Sequence, residues 1–201
     1  MLSAARRAEW MSSRVLLAAH GPARGAASSL AHSGGFAALA TGPARMKMGV
    51  DLERVRKRAF GRLAEFAFDA REAAALQGLP ASARAEHFYV LWTLKEAAAK
   101  ALNIGLWRAL RECVFIRGAR GWQVRLPTTR DWRAWVYAPR RDLVLALVCV
   151  SADEHEVWRA PRCREWPVDA RRAARWQPRV HLSRSGRNVS APRTRSGRRG
   201  S

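Results

Sequence analysis

Between Pro80 and Asn103 the chain places Phe88, Leu91, Trp92, Lys95, Ala99 and Leu102 at helical spacing, which predicts one long helix with an apolar stripe. Ser82 is its expected cap, and Asn103 to Gly105 ends it with residues that tolerate left-handed backbone angles. A stripe of that length must be covered. The texture then turns to strands over Glu112 to Arg117, Trp122 to Leu126, Trp132 to Tyr137 and Leu143 to Val150, with a turn at Gly118-Ala119-Arg120-Gly121. The order implies an α+β domain in which the long helix lies on an antiparallel meander.

Upstream, His32-Ser33-Gly34-Gly35 reads as a turn entering a buried strand that runs to Ala40, and Met46 to Glu53 reads as a second strand. Arg54 to Phe68 carries Val55, Phe60, Leu63 and Phe66 at helical spacing. Asp69 to Leu79 opens with a capping box in its Asp form, Glu72 standing three residues after Asp69. No internal repeat is visible, and no apolar run reaches the roughly 18 residues of a membrane span. The expected organisation is a poorly ordered segment over 1–27, a folded domain over 28–153 and an Arg-rich tail over 154–201. The first thirty residues are Ala-, Ser- and Arg-rich, as transit peptides are, but their apolar run is too short for a secretory core.

Charge enters the argument at the tail. The net charge is +21, and from Arg159 onward thirteen Arg face only Glu165 and Asp169. With four prolines and no apolar period, that segment is expected to be disordered. It would favour nucleic acid or an acidic membrane surface non-specifically, or it reflects an Arg- and Ala-biased composition. Cys113, Cys149 and Cys163 show neither paired nor metal-ligand spacing, so they read as thiols of a reducing compartment, and the expected location is the cytoplasm.

The chemistry concentrates in two places. Asp51 and Glu53 stand two apart in a strand, so both point to one face. Two close carboxylates repel unless a cation or proton intervenes, which leaves a hard-metal site or a solvated strand end. Trp92, Glu96 and Lys100 form one stripe of the long helix, with Lys95 beside them. An exposed Glu-Lys pair of this spacing is common, but here the surrounding stripe is apolar, and ionised groups leaving it need a partner. A metal-bound phosphate would be one.

Gly49-Val50-Asp51-Leu52-Glu53, then Phe68-Asp69-Ala70-Arg71-Glu72, then Trp92-Thr93-Leu94-Lys95-Glu96-Ala97-Ala98-Ala99-Lys100 together resemble the signatures of 4′-phosphopantetheinyl transferases, in their Sfp-type branch. Leu30 to Gly35 resembles that branch's His-Ser strand, with Ser29 and Ala31 replacing its usual Asn and Ser. The resemblance implies an α+β 4′-phosphopantetheinyl transferase-like half with a disordered basic C-terminal tail. It implies transfer of the phosphopantetheine arm of coenzyme A to a serine of an acidic acyl or peptidyl carrier protein, with release of 3′,5′-ADP. Asp51, Glu53 and Glu96 would hold Mg²⁺. Glu96 would be the base, Lys100 would serve the leaving phosphate, and His32, Ser33, Lys95 and Lys100 would hold coenzyme A. Glu72 is either a further catalytic acid or simply the cap of its helix. Leu106, Trp107 and Phe115, with Arg108, Arg111 and Arg117, would face the carrier.

Members of this branch have two similar halves around a coenzyme A cleft, and only about thirty residues precede His32 here. The resemblance therefore covers the second half, with weakened coenzyme A binding and self-association as a way to regain a cleft. An inactive carrier-protein binder, or a basic module that contacts nucleic acid through the tail, are the competing readings.

Overall fold

The computed structural model describes residues 4–56, 60–119, 121–153, 156, 158–165 and 176–184. The run Leu143–Ser151 (β7) is apolar at nearly every position and forms the middle of a four-stranded antiparallel sheet, with apolar side chains on both faces. It pairs with Met46–Arg54 (β3) on one side and Trp132–Arg140 (β6) on the other. Alternation sorts its side chains. Val144, Ala146, Val148 and Val150 join one core cluster, whereas Leu143, Leu147 and Cys149 join a second.

The first face is covered by Ala81–Leu102 (α4), whose Leu91, Leu94, Ala97 and Ala98 are fully buried. Pro80, not Ser82, precedes the helix, and no side chain caps it. Asn103 ends it in the left-handed conformation, φ 54°, with its N–H donating to Ala99 and Lys100 carbonyls. The helix sits unusually close to β3 at Gly49, where a Cβ would come within 2.0 Å of the Ala97 carbonyl oxygen and 2.7 Å of the Ala101 nitrogen. Only a residue without a side chain permits that approach.

Phe60–Ala67 (α2) and Ala70–Gln77 (α3) precede α4, and α3 carries the expected capping box at Asp69 and Glu72. Phe60, Phe68, Phe88 and Trp92 stack between these helices and α4. Leu106–Glu112 (α5) follows α4 and leads into a separate hairpin of Val114–Gly118 (β4) and Gly121–Arg125 (β5). The expected strands are present, but they form a sheet plus a hairpin and not one continuous meander.

On the second face, Ala27–Ser33 (β1) and Phe36–Gly42 (β2) form a hairpin turned by Gly34 and Gly35, both at positive φ. What the sequence offered as a turn before one strand is thus a pair of strands. Ser29 and Ser33 of β1 accept from the Val50 and Arg54 nitrogens of β3, which fastens the hairpin beside the sheet edge.

Two segments differ from expectation. Residues 4–20, read as poorly ordered, form a helix, Ala4–His20 (α1), whose Ser12 hydroxyl donates to the Gly35 carbonyl. Within 154–201, Val180–Ser183 (β8) pairs with β6 as the outer strand, and Trp158 donates its indole N–H to Asp131. A four-residue strand is stabilised by long-range pairing, which local composition does not carry. The disorder expected for residues 166–175 and 185–201 lies outside the described residues. Cys113 and Cys149 are buried free thiols, both pushed up to about 12 by burial. No helix among the described residues is long and apolar enough to cross a membrane.

Candidate functional site

Because β3 alternates, Met48, Val50 and Leu52 enter the second core cluster while Asp51 and Glu53 emerge on the side of α4. The close contact at Gly49 then brings the helix face bearing Glu96 and Lys100 beside them. One carboxylate oxygen from each of Asp51, Glu53 and Glu96 lies within 4.8 Å of the other two. In an octahedral Mg²⁺ site neighbouring oxygens stand about 3 Å apart and opposite ones about 4 Å, so the three acids would draw closer around one ion.

Lys100 Nζ is 2.9 Å from Asp51 Oδ1 and 2.8 Å from the Val50 carbonyl. Its side chain is 35% exposed, against 7% for Asp51, so the ammonium spans the boundary between the cluster and solvent. Asp51 Oδ2 is buried and makes no hydrogen bond among the described residues. An unmatched buried acceptor is costly unless a cation or proton satisfies it. Burial pushes the Asp51 carboxyl up to about 7, with Lys100 opposing the shift and Glu96 and Glu53 adding to it. The donor set is all oxygen and anionic, which suits a hard divalent ion, so the residues fit the metal that the resemblance implies.

Ser33 holds one of the three acids in place. Its hydroxyl donates to Glu53 Oε2 at 3.0 Å and accepts from the Arg54 nitrogen, so its visible work is to orient Glu53. His32, the residue before it, occupies an exposed position of β1. This link between the hairpin and the acids was not legible beforehand, although the register of β1 along β3 follows from two serines spaced four apart.

Glu72 and Lys95 go elsewhere. Both side chains are 0% exposed and pair at 2.7 Å. The Lys95 ammonium also donates to the Leu110 and Cys113 carbonyls. With three acceptors its protons are all engaged inside the protein, apart from the acids where the resemblance implies a coenzyme A contact for Lys95. Glu72 accepts from the Phe115 nitrogen at 2.7 Å and the Asp69 nitrogen at 3.1 Å as well as from Lys95. Both of its oxygens are thus engaged inside the protein and the side chain is wholly enclosed, which is what the capping reading describes. Burial pushes Glu72 up and Lys95 down, and each opposes that shift in the other.

Phe115 is likewise buried, not presented to a partner. Trp107 is exposed, meeting Phe66 edge-on at 5.6 Å, and Phe66 is a surface residue that the sequence placed on a core-facing stripe.

No curated protein matches the chain. The family model of the 4′-phosphopantetheinyl transferase superfamily matches residues 47–148, the stretch from the start of β3 into β7 that holds Asp51, Glu53, Glu96 and Lys100. It spans half of the 201 residues, and it includes both the close helix–strand contact and the three converging acids. By fold and by sequence, the chain belongs to the 4′-phosphopantetheinyl transferase superfamily.

Proposed function

We propose that the chain transfers the 4′-phosphopantetheine arm of coenzyme A to a serine of an acidic acyl or peptidyl carrier protein, in the manner of the Sfp-type branch. The observation that carries this reading is the meeting of Asp51, Glu53 and Glu96 within 4.8 Å, beside Lys100 and inside the family match. Asp51, Glu53 and Glu96 would hold Mg²⁺, which supplies charge neutralisation at the pyrophosphate of coenzyme A. Glu96 takes the proton of the carrier serine as its oxygen bonds to the phosphorus that bears the pantetheine arm. The phosphoanhydride bond breaks, and 3′,5′-ADP leaves with the bonding electron pair. Lys100, with a proton beyond those given to Asp51 and Val50, steadies the charge on that leaving phosphate. His32 occupies an exposed position of β1, next to Ser33 in sequence, and would bind a coenzyme A phosphate. Trp107 and Phe66, with exposed Arg62 and Arg111 nearby in sequence, would receive an apolar and acidic carrier helix.

Intact-mass spectrometry of apo carrier proteins incubated with the chain, coenzyme A and Mg²⁺ tests the proposal. The expected result is a mass gain of one phosphopantetheine arm with the unmutated chain and none with Glu96→Ala. A folded chain that leaves several carriers unmodified refutes transfer, and carrier binding without modification would make it a binder.

A further inference from the structure

The second face of the sheet is incompletely covered. Between α1, the β1–β2 hairpin, the sheet and residues 158–165 lies a cavity of about 1250 Å³, open on one side. Its walls include Met48, Leu52, Trp135 and Leu147 from the sheet. Two of the large apolar residues most exposed to solvent, Met11 at 55% and Val15 at 49%, are on its α1 wall. The acids of the Asp51 cluster point from the opposite face of β3, so this space is separate from the site above.

Its polar groups are arranged in two tiers. Tyr137 Oη is buried on the wall and makes no hydrogen bond of ordinary geometry, with only the weakly polar Cys163 thiol acting on it alongside Cys149. At the mouth, Glu156 and Glu165 are already paired with Arg45 and Arg140 at 2.8 and 2.6 Å. Arg159, Arg162 and Arg164 line the same mouth, are exposed, and have no ion-pair partner among the described residues. An apolar space under a mouth with surplus positive charge is matched by a molecule with an apolar body and one anionic end.

We infer that this cavity binds a long-chain carboxylate, with the chain against Met11, Val15 and Leu147 and the head group at Arg159, Arg162 and Arg164. The surplus positive charge of the lining selects the head group.

A long-chain carboxylate brominated at mid-chain is titrated into the full-length protein, below the concentration at which it self-associates. Trp135, Trp158 and Trp176 line the cavity, so saturable quenching of tryptophan fluorescence is expected, with no competition from acetate or from an alkyl chain carrying a trimethylammonium head. Reversing the mouth with Arg159→Glu, Arg162→Glu and Arg164→Glu should weaken binding at least about tenfold. Val15→Glu, a change at an exposed position, should weaken it too, and circular dichroism verifies the fold of each variant. Absent or non-saturable quenching overturns the inference, as does equal binding of the cationic analogue. So does light scattering that shows a dimer whose formation, and not the carboxylate, protects the cavity.

Discussion

Helix α4 carries two lysines, each bound to a carboxylate at under 3 Å, and their surroundings assign them opposite work. Lys95 and Glu72 are wholly enclosed, and every oxygen and ammonium proton has a partner. Lys100 and Asp51 stand at the boundary with solvent, and Asp51 Oδ2 has none. The closed pair ties α3, α4 and the start of β4 together. The open pair leaves an acceptor and a proton available to something that binds. Whether a motif residue is structural or functional is therefore decided by how completely its hydrogen-bonding capacity is used, not by its place in the motif.

Breaking the closed pair should give the largest change. Glu72→Ala leaves a buried ammonium without its counter-charge and two backbone N–H groups without acceptors, so a loss of about 3 to 5 kcal/mol is expected, read as a denaturant midpoint shift. The corresponding cut in the open site acts on chemistry. Glu96→Gln should lower carrier modification by at least about a hundredfold while the melting temperature stays within a few degrees, because the side chain is only half-buried. Third comes the contact that joins the two regions. Gly49→Ala drives a methyl group into the backbone of α4, and a destabilisation of about 1 to 3 kcal/mol, or more, should accompany loss of activity.

A smaller effect sharpens the contrast through pH. An acid whose folded-state pKa lies near 7, above its unfolded value of 3.8, binds its proton more tightly in the folded protein. Stability from this group is therefore full below about pH 4 and is lost as pH rises toward 7, the reverse of an ordinary salt-bridged carboxylate. Without metal, Asp51→Asn should raise the melting temperature at pH 8 and leave it nearly unchanged at pH 4. Ser33→Ala should have the mildest consequence, a weakening of divalent-ion affinity of about tenfold, since it removes the group that orients Glu53 and leaves the three acids in place.

Much of this was legible in the sequence where the signal is local. The alternation of β3, the apolar run of β7, the capping box at Asp69 and the left-handed end of α4 at Asn103 all follow from neighbouring residues. So does the convergence of Asp51 with Glu53. That Glu96 joins them follows from the family's motif order, and Gly49 is the physical reason the helix comes close enough. What escaped depends on distant partners. Lys95 and Glu96 are adjacent and both ionisable, and spacing alone does not say which one turns inward. Its place in the apolar stripe with Leu91 was the available clue. Helix α5 spans seven residues, too short for a periodic signal, while β8 derives its place from β6 and α1 from the hairpin and the second face.

Counting bound divalent ions tests the central contrast most directly. Mn²⁺, an octahedral oxygen-seeking ion like Mg²⁺, is titrated with coenzyme A into the full chain and followed by electron paramagnetic resonance. The account predicts one bound ion per chain, loss of that ion in Asp51→Asn with the melting temperature kept or raised, and its retention in Lys95→Met protein that remains folded. Undiminished binding by Asp51→Asn would contradict the assignment of the open pair as the functional one.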